Sequence, residues 1–354
     1  MIRNIDIHEF VSLWRSYPVV DVRSPQEYLK GHIPGAHNLP LFNDEERAQV
    51  GMRYTRSGRF SSVQLGLDLA GPRLSSWIKD AADLSKEGTV LMHCWRGGMR
   101  SSSMAWLLDL AGMDVYVLKG GYKAYRNHIR NEFGTPLRLL VLAGKTGCGK
   151  TEILQAVRRL GQQVIDLEQI AGHKGSVFGG LGMPPQPTNE QYENDLYEVW
   201  QQIDPGRPVW IEDESLSVGT VSIPQPLFDQ MMASPVMEIG LDFRKRVTRL
   251  IRDYASFSSD ELVSCIMRIE RRLGGDVARK ASEAVRMGEF DLASSILLTY
   301  YDKAYEQSLL KRAAKVMRTH VHLSEDDPEK NAHILLNNSF LHIIEEAYGI
   351  SGLS

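Results

Sequence analysis

Residues 93–101 read His93-Cys94-Trp95-Arg96-Gly97-Gly98-Met99-Arg100-Ser101, and residues 144–151 read Gly144-Lys145-Thr146-Gly147-Cys148-Gly149-Lys150-Thr151. Each follows an apolar run, Thr89 to His93 in the first case and Leu137 to Ala143 in the second, and each precedes a stretch with helical spacing. A strand, a glycine loop and a helix, met twice, predict two parallel α/β units. The first loop sets a cysteine in an anion cradle and the second has the form of a phosphate site. Together they point to nucleophilic sulfur-type chemistry coupled to a phosphorylated substrate.

Working outward from these loops, Pro18 to Arg23 and Met113 to Leu118 read as further strands of the first unit, with a helix over Ser101 to Leu110. Asn131-Glu132-Phe133-Gly134-Thr135-Pro136 is the expected boundary, giving a parallel-sheet domain over 1–135. The second α/β domain is expected over 136–240. It has an amphipathic helix from Thr151 to Leu160 closed by Gly161, and strands at Gln163 to Leu167 and Pro208 to Ile211. From 241 to 354 the pattern is helical and ends in an apolar helix that Gly349 can cap. This C-terminal region is expected to pack on the second domain.

A chain of 354 residues with 43% apolar and 24% charged residues is large enough for two or three such cores. It has no apolar run long enough to span a membrane and no signal-peptide core at its start, so the expectation is a cytoplasmic protein. Three cysteines, Cys94, Cys148 and Cys265, make no disulfide framework, which fits a reducing compartment. Net charge is −3, but residues 1–135 hold 17 Lys and Arg against 14 Asp and Glu. Any nucleic-acid surface must therefore be a local patch.

In the first loop, backbone N–H groups and the helix N-terminus converge on Cys94, favouring the thiolate and binding oxyanions. Gly97 and Gly98 let the backbone curl. Arg96, Met99 and Ser101 complete the cradle, and Arg100 can close a fork on the anion. The spacing also fits cysteine-dependent phosphatases, since the same cradle holds phosphate.

The second loop, Gly144-x-x-x-x-Gly149-Lys150-Thr151, is a P-loop. The backbone from Lys145 through Cys148 cradles phosphates, Lys150 supplies charge and the Thr151 hydroxyl is placed to ligate Mg²⁺. Within Glu212-Asp213-Glu214, Asp213 is the candidate carboxylate for the same ion. Nothing fixes a nucleoside base, so any diphosphate could bind. Farther on, Phe243, Val247, Leu250, Ile251 and Tyr254 share one face of a helix. Arg244, Lys245, Arg246, Arg249 and Arg252 occupy the rest as a candidate contact strip for nucleic-acid phosphates.

Asp21-Val22-Arg23-Ser24-Pro25-Gln26-Glu27-Tyr28, followed by Gly31-His32-Ile33-Pro34-Gly35-Ala36-His37-Asn38-Leu39-Pro40, resembles the N-terminal signature of rhodanese domains. Gly120-Gly121-Tyr122 is similar to their closing segment. Cys-x5-Arg is one residue longer than the usual rhodanese cradle, a length shared with phosphatase relatives of that fold. By the same resemblance His32 and Asp21 brace the fold.

A rhodanese-like domain joined to a P-loop NTPase-like α/β domain and a helical C-terminal region resembles the tRNA 2-selenouridine synthase family. Asp166-Leu167-Glu168, Gly172 to Gly179, Glu212 to Ser215 and Tyr300-Tyr301-Asp302 extend the match. Leu216 departs from it, standing where the family is expected to carry arginine.

The resemblance implies a transferase acting on the wobble 2-thiouridine of tRNA, with geranyl diphosphate and selenophosphate as co-substrates. The uridine sulfur would be S-geranylated at the P-loop, and Cys94 would then deliver selenium. A selenophosphate-supplying enzyme is an implied partner. The rival readings are an ATP-dependent sulfurtransferase, a cysteine-dependent phosphatase, and a sulfur carrier or RNA-binding module whose P-loop is vestigial.

Overall fold

The computed structural model describes residues 1–349 apart from 86, 310, 311 and 313–315, and the side chains of 308 and 309 are not described. The chain divides into two compact units, 1–132 with 193–195, and 133–192 with 196–354.

The first unit is built on five strands: β1 (Ile2–Ile5), β2 (Val19–Asp21), β3 (His37–Asn38), β4 (Thr89–His93) and β5 (Asp114–Leu118). Their order is β1-β5-β4-β2-β3 and every pairing is parallel. Strand β4 reads Thr-Val-Leu-Met-His and buries Val90 through His93, the unbroken apolar run expected of a central strand covered on both faces. Its hydrophobic neighbours include Trp77, Met104, Leu108 and Val117. The helix after the cysteine loop runs Met99–Leu110, two residues earlier than its spacing suggests, because the loop glycines feed directly into it.

The second unit has the parallel order β12-β11-β6-β8-β7, with β6 (Leu139–Gly144), β7 (Gln163–Ile165), β8 (Val209–Glu212), β11 (Val236–Leu241) and β12 (Arg318–Leu323). A separate antiparallel pair, β9 (Ser217–Val218) and β10 (Val221–Ser222), turns through Gly219 and Thr220. All six residues of β6 are buried, and the Lys150–Arg159 helix packs Ile153, Leu154, Ala156 and Val157 into the same core as Trp210.

The strand expected at Gln163 to Leu167 is shorter. Asp166 accepts from the Gln169 backbone N–H and caps a helix over Leu167–Ala171. The helical reading of 241–354 omits a strand, for β12 pairs with β11 along its whole length. Its alternation of polar residues with Val321 and Leu323 (Arg-Thr-His-Val-His-Leu) is a period-2 pattern that helix-period reading passes over. The last helix, Phe340–Tyr348, ends at Gly349 in the left-handed conformation, as its sequence suggests. Among the described residues no helix is long and apolar enough to cross a membrane.

Candidate functional site

In the first unit, β4 ends at a buried Cys94. The Gly98 backbone N–H donates to its sulfur at 3.3 Å and the Ser101 hydroxyl lies 3.2 Å away. Burial alone pushes the thiol up. The Ser101 hydroxyl and the backbone N–H groups of Ser101, Gly98 and Arg96 outweigh it, so the net direction is down, toward the thiolate. Gly97 has φ +65°, and a Cβ there would stand 2.8 Å from the Leu118 carbonyl oxygen and 2.9 Å from the Gly120 nitrogen. Only glycine closes this loop against the segment after β5.

Arg96 and Met99 are exposed at the rim. Arg100 directs its fork at Glu27, with contacts of 2.5 and 3.2 Å, and Arg47 approaches the same carboxylate at 3.3 Å. The expected anion fork is thus engaged by a carboxylate from the helix of Pro25–Lys30. Asp21 and His32 sit in bracing networks. Asp21 is fully buried and accepts from the Arg23 guanidinium at 2.6 and 2.9 Å, and the His32 ring stacks on Tyr28 at 3.8 Å.

In the second unit the P-loop joins β6 to the Lys150–Arg159 helix, with Gly147 and Gly149 both at positive φ. Lys150 Nζ lies 3.1 Å from the Gly144 carbonyl and 3.4 Å from Glu212. Burial disfavours its charge, but Glu212, Glu214 and Glu168 overcome this and hold it protonated. The Thr151 hydroxyl donates to Glu168 at 2.7 Å and lies 3.3 Å from Glu212. Lys145 is turned outward to Glu306, and the Thr146 carbonyl accepts from Arg246 at 3.2 Å. Cys148 is buried and its thiol is raised by that burial, the reverse of Cys94.

Glu168, Glu212 and Glu214 offer carboxylate oxygens that lie within 4.8 Å of one another. Their pKa values rise, Glu214 to about 8, chiefly through burial; the Glu168 charge adds to the rise at Glu212 and Glu214, Asp166 and Glu152 add to that at Glu168, and Lys150 is a partial counterweight.

Two sequence expectations are corrected here. Asp213 does not face Thr151; its carboxylate is paired with Arg312. Successive side chains at the end of a strand point to opposite faces, so it is Glu212, and not its neighbour, that turns toward the loop. Nor do the five basic residues form one strip. Arg246 is buried and bidentate on Asp302 at 2.7 and 2.8 Å, and Arg249 is buried between Glu152 and Asp326. Both pack on the P-loop, since a Cβ on Gly147 or Gly149 would meet Arg246 or Arg249 at 3.3 and 3.0 Å. Lys245 donates to the Ser324 carbonyl and Arg252 pairs with Asp253 and Asp326, which leaves Arg244 as the exposed arginine of the group with no acidic neighbour in ion-pair range among the described residues.

From the P-loop a cavity of about 570 Å³ continues into the helical part of the unit. Its P-loop end is Gly147, Lys150, Thr151, Glu214 and Arg249, and its far walls include Phe178, Leu262, Ile266, Val285, Ala293 and Leu297. No local motif marks this chamber, because its walls come from helices at 259–268, 275–286 and 290–309. Glu168 and Glu212 did lie in visible acidic segments, but without strand register nothing distinguished them from their neighbours.

The family model described as tRNA 2-selenouridine synthase AAA domain matches residues 137–325, and that of the rhodanese-like domain matches residues 7–128. The chain is 36% identical over 340 residues to a protein of Hydrogenovibrio crunogenus named tRNA 2-selenouridine synthase, covering 85% of this chain and 92% of that one. To a protein of the same name from Shewanella denitrificans it is 33% identical over 350 residues, covering 87% and 93%.

Proposed function

The chain belongs to the tRNA 2-selenouridine synthase family and is a tRNA-modifying transferase of that activity, and on that premise we propose that it works in two steps, S-geranylation of a wobble 2-thiouridine followed by exchange of sulfur for selenium. The observation that carries the first step is the continuity of the phosphate loop with an apolar chamber. A diphosphate with a hydrocarbon tail uses both ends, the tail lying among Leu262, Ile266, Val285 and Leu297.

In this reading the uridine sulfur attacks C1 of geranyl diphosphate, the C–O bond breaks, and pyrophosphate leaves with the electron pair. Lys150 and the loop N–H groups stabilise the charge that grows on the leaving group. Alkylation turns the 2-thio group into a good leaving group. Selenophosphate then sits in the Cys94 cradle: the Cys94 thiolate attacks phosphorus, the P–Se bond breaks toward selenium, the selenide so released attacks C2, and geranylthiolate departs. Water hydrolyses the phosphocysteine left on Cys94 to phosphate and the free thiol, so the cycle involves no change of oxidation state. The test is reconstitution with 2-thiouridine tRNA, geranyl diphosphate and selenophosphate, read by mass spectrometry of the nucleosides. Selenouridine formed equally well without the prenyl diphosphate, or only with ATP, would overturn the sequence of steps.

The chamber yields a prediction of its own. Ala293→Phe puts a ring into its wall and should raise KM for geranyl diphosphate roughly 10-fold or more. Inhibition by inorganic pyrophosphate, which needs only the loop, should stay as it was. Equal effects on both would mean that the chamber does not hold the tail.

The crowded carboxylates of Glu168, Glu212 and Glu214 beside the Thr151 hydroxyl fit a hard divalent cation such as Mg²⁺, which takes oxygen ligands and would relieve their repulsion. When bound, such an ion supplies countercharge to the diphosphate.

A pH dependence follows. A carboxyl raised from 4.5 to about 8 keeps its proton in the folded state while the unfolded chain has lost it. Stability of the cation-free protein should therefore fall as pH rises from about 5 to 8. Melting temperatures at pH 6 and pH 8 should differ without Mg²⁺ and converge with it; a flat cation-free profile would remove the acidic cluster as an ion site.

A further inference from the structure

In the first unit, the helical segment Asp44–Ala70 carries features that neither site uses. Between Arg47 and Leu67 it holds four arginines and no Asp, Glu or Lys. All ten residues from 51 to 60 are exposed, Phe60 by 77%, Tyr54 by 58% and Met52 by 51%. Arg47 has a partner in Glu27, but among the described residues no carboxylate lies within ion-pair distance of Arg53, Arg56 or Arg59. This is the opposite of the buried, paired Arg246 and Arg249. Gly58, at φ +79°, breaks the helix, so the segment bends in its most exposed part.

Arg53 and Arg56, three residues apart on the helix before Gly58, have Cβ atoms about 5–6 Å apart and repel one another unless an external anion joins them. The guanidinium fork matches phosphate oxygens, and exposed aromatic rings offer faces to unpaired bases. A membrane surface suits the segment poorly. At about 100° per residue, Met52 and Tyr54 fall on nearly opposite sides of the helix, and no continuous apolar face exists to insert.

We propose that residues 47–60 form an RNA-contacting arm, with Arg53, Arg56 and Arg59 on tRNA phosphates and Tyr54 and Phe60 stacked on unpaired bases. The proposal rests on tRNA being the substrate and assigns the contact surface that the 244–252 helix does not supply.

The test is binding of 2-thiouridine tRNA to the full chain across a salt series. The triple variant Arg53→Ala, Arg56→Ala, Arg59→Ala should bind at least 10-fold more weakly, and its log–log salt slope should flatten by about 2 to 3. The corresponding triple lysine variant should keep most of the slope. Tyr54→Ala with Phe60→Ala should weaken binding roughly 10-fold with the slope unchanged. Geranyl diphosphate binding and the circular dichroism spectrum should not move in any of them, which separates a lost contact from a lost fold.

A triple alanine variant with wild-type affinity and slope overturns the arm while leaving the tRNA reading intact. So does a variant that loses adhesion to phosphatidylglycerol vesicles but not to tRNA. A wild-type protein that binds no tRNA would refute the substrate reading itself, and the arm with it.

Discussion

Cys94→Ser should reduce selenouridine formation to background while S-geranylated tRNA still forms and accumulates. The surroundings of the sulfur favour an anionic nucleophile: Gly98 N–H at 3.3 Å, the Ser101 hydroxyl at 3.2 Å, and a net downward shift of the thiol despite its burial. A serine hydroxyl in the same cradle fills almost the same space, so the melting temperature should change little. It stays protonated, however, and is a far weaker nucleophile toward selenophosphate. The proposed diphosphate site is built from other residues in the other unit, Lys150, Thr151 and their carboxylates. Nucleoside mass spectrometry after reaction with both co-substrates separates the two products. Equal loss of the geranylated and selenated nucleosides would end the division of labour between the loops.

The parts of this protein that could be read from sequence are those whose geometry is local. The Cys94 loop and the P-loop each sit between a mainly apolar strand and a helix, and Gly97, Gly147 and Gly149 mark left-handed turns without any knowledge of the fold. What was hidden depends on distant partners. Whether Glu212 or Asp213 meets Thr151 is set by side-chain alternation at the end of β8, a register that one residue reverses. Arg246 and Arg249 look like a nucleic-acid strip until Asp302 and Asp326, more than fifty residues downstream, neutralise them. The chamber is assembled from residues as far apart as Phe178 and Leu297. The arm is the converse. Its lack of acidic residues was present in the sequence, but its exposure was not.

Lys150→Ala should slow the prenyl step by roughly 10²-fold or more, the typical cost of deleting one preorganised charge aimed at a developing anion. The ammonium is held at the mouth of the loop by the Gly144 carbonyl at 3.1 Å and Glu212 at 3.4 Å, and three carboxylates keep it charged. Its removal has a second consequence, because Glu168, Glu212 and Glu214 lose the cation that offsets their repulsion. They should answer by taking up protons, so the variant should lose more stability at pH 8 than at pH 6. Measuring geranylation at both pH values under single-turnover conditions separates the lost catalytic charge from a destabilised site: the rate deficit should persist at pH 6, where the fold is best supported. The second step supplies the control. Given tRNA that is already geranylated, the alanine variant should transfer selenium at close to the wild-type rate, because Cys94 and its cradle lie in the first unit. Geranylation near the wild-type rate would mean that the P-loop serves a different ligand. A matching loss of selenium transfer from the preformed intermediate would mean that Lys150 supports both steps, and the assignment of one reaction to each loop would fail.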